Sequence, residues 1–316
     1  MTSPRAMVER IKQLQKEKDI LILAHNYVRP EIQDIADYVG DSLGLSRQAA
    51  LSDHPLILFC AVHFMAETAE ILTRADQTVL IPDRRAGCSL ADMITAPALR
   101  DWKAKHPDAL VVAYVNTSAD VKAESDICCT SANAAQIVSS LPHDREILFL
   151  PDMFLGAWVE EVTGRKMEIW PGECHVHATL PPDRIKSLMV EHTKAEFLIH
   201  PECGCSTQCL YLDSVGELPS SPIVASTGGM VRHVKESDGT KFIVATETGI
   251  LHPLKKSAPH KVFIPASEEM VCQFMKMVTL PKVLKVLEAG APVVSVPEPT
   301  RSKARAAIDR MLAVTV

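Results

Sequence analysis

Leu21–Tyr27 reads LILAHNY: four apolar residues, then histidine, asparagine and tyrosine. A short unbroken apolar run suits a strand buried on both faces, and the polar tail marks where it leaves the core. The same design returns as VVAYVNT at Val111–Thr117 and as FLIHPEC at Phe197–Cys203. Laid over one another, His25 meets Tyr114 and His200. Tyr27 meets Asn116 and Glu202, at spacings of 89 and then 86 residues.

Three further stations follow each of these segments in the same order. The next is a hydroxyl at the start of a predicted helix: Ser42 in GDSLGLS, Ser131 in CTSANAA and Thr227 in ASTGGMV. Then comes a second strand, PLILFCAVHF, EILFLPDMF or KFIVATETG. Last is a strand running through proline towards a cysteine: VLIPDRRAGC to Cys88, EIWPGEC to Cys174 and VFIPASEEMVC to Cys272. One such station is commonplace. Four of them in one order, three times, identify a triplicated unit. The wider spacing in the third copy points to an insertion near 204–221, a stretch containing Gly, Pro and Ser.

Apolar runs at Ile20–Ala24, Pro55–Cys60, Thr78–Ile81, Leu110–Val115, Ile147–Leu150, Phe197–Ile199, Phe242–Ala245 and Val262–Ile264 predict strands. Helical stretches lie between them. Ile32, Ile35, Ala36 and Val39 form one apolar stripe, with Pro30 suited to its first turn. Such alternation predicts parallel sheets covered by helices. The expected fold is α/β: three homologous α/β/α units in pseudo-threefold arrangement around a central active site. Their expected bounds are 1–93, 94–181 and 182–280, with a C-terminal helical extension over 281–316. In that extension Ala304, Ile308, Met311 and Leu312 share a face that packs back onto the body.

Composition narrows the function. A net charge of −6 argues against nucleic acid as a partner, because phosphate binding needs clustered cations. No apolar run is long enough to cross a bilayer, and Met1–Lys18 lacks the apolar core of a signal peptide, so the expectation is a cytoplasmic protein with no membrane partner. In a reducing compartment, nine cysteines read as metal ligands, catalytic thiols or buried packing residues, not as a disulfide framework.

The repeat predicts a site. Ligands of open parallel sheets bind at the C-terminal strand ends, where the polar stations fall. Residues i and i+2 of a strand share a face, so His25 with Tyr27, Tyr114 with Asn116, and His200 with Glu202 form three inward pairs. Ser42, Ser131 and Thr227 fall where helix N-caps fall, and helix starts attract carboxylates and phosphates. Cys88, Cys174 and Cys272 occupy equivalent positions and give one thiolate per unit. Three thiolates leave one iron of a [4Fe–4S] cluster open for Lewis-acid chemistry, whereas a three-cysteine catalytic zinc site is unusual. Glu202, near iron and substrate anions, is expected to stay partly protonated. Cys60, Cys128 and Cys129 read as packing. Cys203, Cys205 and Cys209 form a rival metal-binding trio, or a set of exposed thiols. An open-iron hydro-lyase and a non-catalytic iron–sulfur sensor are alternative functions on these residues.

Several long blocks resemble quinolinate synthase: LAHNYVRPEIQDIADYVGDSLGLSRQA, AGCSLADM, YVNTSADVKAESDICCTSANA, WPGECHVH, HPEC, STGGM, ATETGILH and CQFMKM, spread over residues 20–285. The resemblance implies three α/β/α domains around a central cavity. It implies condensation of iminoaspartate with dihydroxyacetone phosphate to quinolinate for NAD biosynthesis, with an L-aspartate oxidase as a functional neighbour. It also implies one [4Fe–4S] cluster per chain on Cys88, Cys174 and Cys272. The substrate site would be lined by His25, Ser42, Tyr114, Asn116, Ser131, His177, His200, Glu202 and Thr227. Tyr27 and Glu202 would be the proton-transfer groups, with His200 beside them.

Overall fold

The computed structural model describes residues 3–218 and 220–314. The outermost residues of the first and last expected segments, and Pro219 in the expected insertion, lie outside that set. Three units run helix, strand, helix, strand, helix, strand, helix, strand. The first holds α1 (Pro4–Glu17), β1 (Ile20–His25), α2 (Pro30–Gln33), β2 (Tyr38–Gly40), α3 (Ser42–Leu51), β3 (Leu56–Cys60), α4 (His63–Leu72) and β4 (Thr78–Leu80). The second holds α5 (Ala96–Lys103), β5 (Leu110–Tyr114), α6 (Ala119–Ala123), β6 (Ile127–Cys129), α7 (Ala134–Ser140), β7 (Ile147–Leu150), α8 (Met153–Thr163) and β8 (Glu168–Ile169). The third holds α9 (Pro182–Glu191), β9 (Glu196–Ile199), α10 (Ser206–Ser214), β10 (Ile223–Val224), α11 (Thr227–Glu236), β11 (Lys241–Ala245), α12 (Leu251–Ser257) and β12 (Val262–Pro265). Helices α13 (Leu280–Ala289) and α14 (Thr300–Ala313) close the chain.

Each unit has its own four-stranded parallel sheet, and all three share one strand order: β2-β1-β3-β4, β6-β5-β7-β8 and β10-β9-β11-β12. The first strand of each unit is therefore central, and its polar tail emerges mid-sheet. Every predicted apolar run forms a strand. The edge strands β2, β6 and β10 are two or three residues long, too short for a sequence pattern to single out.

The helix predicted from Ile32 to Val39 is not there. α2 stops at Gln33, and Val39 lies on β2. Asp37 explains the break. Its carboxylate accepts the Ile22 N–H at 2.7 Å, and its own N–H donates to the Ile22 carbonyl at 2.9 Å. This draws the chain alongside β1, in register with Leu23–His25. Asp126 does the same for Val111, at 2.8 and 3.1 Å, one repeat later. In the third unit the corresponding connection holds the nine-residue α10, where the others have helices of four and five residues.

The C-terminal face behaves as expected. Ala304, Ala307, Ile308 and Met311 are buried against α4, α6 and β6, and Leu312 is half-buried. α13 lies along α1. No helix among the described residues is long and apolar enough to cross a membrane.

Gln33 anchors the turn after β1. Its buried Nε2 donates to the carbonyls of Asn26, Val28 and Gly249, at 3.0, 2.9 and 3.1 Å. Gln33→Ala strands those acceptors out of water. A loss of about 2–4 kcal/mol is expected, on the scale of one or two unsatisfied buried groups. Urea unfolding of both proteins measures it; a shift below about 0.5 kcal/mol, the scale of a neutral surface change, contradicts this role.

Candidate active site

The three polar strand ends converge on one cavity. Its lining includes His25, Tyr27 and Ser42, then Tyr114, Asn116 and Ser131, then His177, His200, Glu202 and Thr227, together with Cys88, Cys174 and Cys272. Every site residue named from the sequence is thus brought to one place. Most of the polar ones are deeply buried: Glu202 is 3% exposed and His177 2%.

Two local turns recur atom for atom. The Tyr27 N–H donates to His25 Nδ1 at 3.2 Å, and the Glu202 N–H donates to His200 Nδ1 at 3.4 Å. Both imidazoles thereby carry their proton on Nε2; for His200 that atom lies 3.2 Å from Ser131 Oγ. Burial pushes His25 down to about 3 and His200 down to about 4. They are neutral hydrogen-bond donors, not cations.

Glu202 sits at the centre. The Tyr114 hydroxyl donates to its Oε1, and Asn116 Nδ2 lies 3.5 Å from the same oxygen. His177 Nδ1 lies 3.0 Å from Oε2. Burial alone would raise this carboxyl. His200, His177 and the Tyr114 hydroxyl outweigh burial and hold it down to about 2. Among the protein's own groups the balance favours an ionised Glu202; the expected partial protonation belongs to a site that also holds iron and substrate anions. His177 shows the opposite balance. Burial disfavours its charge, but Cys174 and Glu202 prevail and lift it to about 10. Burial and the nearby Glu202 charge raise Tyr27 and Tyr114 well above the usual phenol range, so both keep their protons.

Thr246 completes the chain of contacts. Its hydroxyl bonds the Tyr27 hydroxyl and lies 2.9 Å from His177 Nε2. A path of close contacts, Tyr27–Thr246–His177–Glu202–Tyr114, crosses all three units. Thr246 and its cavity-lining neighbour Glu247 were not singled out from the sequence. The signal was present: KFIVATETG breaks from apolar to polar at a strand end, as LILAHNY does.

The helix starts need correction. Asp41 caps α3 by accepting the Gly44 N–H at 2.9 Å, and Ser226 caps α11 by accepting the Gly229 N–H at 3.2 Å. Ser42 and Thr227 are the first helical residues, and Ser131 stands three residues ahead of α7. An N-cap must accept from an N–H two or three residues on, and the residue before each matched hydroxyl of α3 and α11 is the better placed acceptor. Asp41 also accepts from the Ser226 hydroxyl at 3.0 Å, which ties the first unit to the third. Thr227 Oγ1 accepts from Asn26 Nδ2 at 2.9 Å, leaving its own proton free to donate.

The cysteines fall into three groups. Cys60, Cys128 and Cys129 are buried packing residues. Cys203, Cys205 and Cys209 are also buried, not exposed, and Cys203 is disulfide-bonded to Cys205. That bond departs from the all-reduced expectation and leaves this trio no set of three free thiols. Cys88, Cys174 and Cys272 are free and half-buried, and they alone among the cysteines line the cavity. The Cys88 sulfur accepts the N–H groups of Leu90 and Ala91, and the Cys272 sulfur those of Phe274 and Met275. Cys174 instead lies beside the His177 ring. Cys174, His177 and Glu202 also bring ligand atoms within 4.8 Å of one another, a spacing a metal ion could bridge.

The family model of the quinolinate synthetase A protein matches residues 9–313. This chain belongs to the quinolinate synthase family. A quinolinate synthase of Thermus thermophilus is 53% identical over 309 residues, covering 98% of this chain and 97% of that protein. One from a Mycobacterium species is 51% identical over 306 residues, with 96% and 90% covered. One from Pyrobaculum aerophilum is 49% identical over 306 residues, with 96% and 98% covered. A quinolinate synthase fold is therefore an enzyme scaffold built on three repeated sheets, with its polar strand ends gathered at one centre.

Removing the Thr246 hydroxyl tests the path through it. Thr246→Val keeps the shape and cuts both hydrogen bonds. Turnover is expected to fall about tenfold to a hundredfold, equivalent to about 1.4–2.8 kcal/mol of barrier, with a loss of stability of about 1–3 kcal/mol from the buried groups left unpaired. Steady-state rates on equally folded samples check it; wild-type turnover would remove Thr246 from the path.

Proposed function

We propose that this chain condenses iminoaspartate with dihydroxyacetone phosphate to form quinolinate, for NAD biosynthesis in the cytoplasm. The observation that carries the reading is the single cavity in which one cysteine from each unit meets Glu202, Tyr27 and four histidines. An L-aspartate oxidase would be the natural source of the imine.

The donor set suits a [4Fe–4S] cluster on Cys88, Cys174 and Cys272. Burial pushes the Cys88 thiol up to about 12 and raises the other two, so bare thiolates would be costly here, whereas iron holds them deprotonated. Donors already aimed at the sulfurs stabilise the anionic form. With three protein ligands, a bound cluster supplies one open Lewis-acidic iron able to polarise a substrate oxygen.

The protein's own groups account for the rest. Ser42 and Thr227, the first residues of α3 and α11, line the cavity with hydroxyls able to bond carboxylate and phosphate oxygens, while Asp41 and Ser226 hold the Gly44 and Gly229 N–H groups. The neutral Nε2–H donors of His25 and His200 can orient carbonyl and carboxylate oxygens. Glu202 accepts a proton as the carbon–carbon bond forms. The Tyr27 hydroxyl returns one during ring closure or loss of water, and Thr246 and His177 lie between the two groups. Their burial keeps bulk water from competing for these protons.

A second reading is favoured by the closeness of Cys174, His177 and Glu202: a single metal ion held by those three. It leaves Cys88 and Cys272 without a role. Iron and sulfide analysis of anaerobically prepared protein separates the two. The cluster reading requires about four irons and equivalent sulfide per chain; one metal and no sulfide supports the other.

Incubating the reduced protein with both substrates and assaying for quinolinate tests the reaction itself. Cys174→Ala is expected to lose the cluster and all activity. Glu202→Gln is expected to keep the cluster and bind substrate, yet turn over at least about a hundredfold more slowly, the low end for loss of a general acid–base group. A cluster-replete, fully active Cys174→Ala protein refutes the ligand assignment, and near-normal turnover in Glu202→Gln refutes the base.

A further inference from the structure

Glu247 is completely buried, and its carboxylate ties its own turn to the Cys272 loop. Oε1 accepts the N–H of Cys272 at 3.0 Å and lies 2.8 Å from Lys276 Nζ. Oε2 accepts the N–H of Gly249 at 2.7 Å and receives Lys276 Nζ at 3.1 Å. Lys276 Nζ goes on to the carbonyl of Tyr27 at 2.5 Å. The Lys276 carbonyl accepts from Arg29 Nε at 2.9 Å, two residues beyond Tyr27. The strand end of β11 thus holds Tyr27 twice: by its hydroxyl through Thr246, and by its carbonyl through Glu247 and Lys276.

The chain is shaped around this knot. A Cβ on Gly249 would fall 2.7 Å from Glu247 Oε2, 2.7 Å from the Tyr27 carbonyl and 2.8 Å from Lys276 Nζ. Any larger residue there would force the three apart. A buried carboxylate persists only when paired and hydrogen-bonded, and this one meets that requirement with the N–H groups of Gly249 and Cys272 and with Lys276, whose ammonium carries the contact on to the Tyr27 carbonyl.

We propose that Glu247 and Lys276 are positioning residues that clamp the Cys272 loop to the Tyr27 turn. The ligand sulfur and the Tyr27 hydroxyl then keep a fixed separation. This rests on the proposed role of Cys272 as a cluster ligand. It adds that retention of the cluster and placement of Tyr27 depend on one buried ion pair outside the reacting groups. Partners that orient a metal ligand in this way are worth about 10–100-fold in metal affinity or activity.

The test uses reconstituted full-length protein. Wild type, Glu247→Gln and Gly249→Ala are exposed to an iron chelator under anaerobic conditions, with a thiol alkylating agent present. Cluster loss is followed by absorbance, and alkylation of each cysteine by mass spectrometry. In both variants cluster loss is expected to be at least about tenfold faster, with Cys272 alkylated ahead of Cys88 and Cys174. On samples with equal iron content, kcat is expected to fall about tenfold or more while KM stays within about threefold. A merely structural role would speed the alkylation of all three cysteines together and leave kcat per cluster unchanged; that result overturns the proposal, as does wild-type behaviour in both variants. If Glu247→Gln does not fold, Gly249→Ala decides alone, because it parts the clamp without removing a charge. Failure of wild type to take up a cluster would instead refute the ligand assignment, a result distinct from either outcome for the variants.

Discussion

A carboxylate as deeply buried as that of Glu202 must find donors on several sides, and here they come from more than one sheet. Tyr114 and Asn116 approach from the strand end of β5, and His177 from the loop after β8. No single unit could satisfy it. The energetic demand of one ionised group therefore acts on the arrangement of the units, because separating them would leave a charge in low dielectric without partners. The Asp41–Ser226 contact adds a second bond of this kind between the first and third units.

The architecture was legible in the sequence because the repeat was. Central strands carry uninterrupted apolar runs and announce themselves. The edge strands β2, β6 and β10 do not, since two or three residues are too short a run to stand out even when all are apolar, as in β6. The false helix over Ile32–Val39 shows the same limit from the other direction. An apolar period matched a helix, and a tertiary bond from Asp37 to the backbone of β1 overrode it.

The site was legible where chemistry coincided with the repeat. Cys88, Cys174 and Cys272, and the His–Tyr, Tyr–Asn and His–Glu pairs, all meet in the cavity. Protonation was not legible. Whether Glu202 is acid or base depends on which groups face it across the unit boundaries, and no spacing along the chain encodes that. The helix caps were missed by one residue for a related reason: the matched hydroxyls of α3 and α11 sit beside the capping atoms. Thr246 and Glu247 escaped because they act through other residues, and such roles have no motif of their own.

The strand-end station that holds Tyr27, Asn116 and Glu202 has one further consequence. An assembly of three identical chains around an axis must present the same residue three times, since its symmetry forbids anything else. A single chain that carries the unit in triplicate is free of that rule. Its threefold ancestry can survive where sameness is useful, as in three thiols, and lapse where the chemistry needs difference. Phenol, amide and carboxylate occupy equivalent places here, so a nearly symmetric scaffold can tell one end of a substrate from the other.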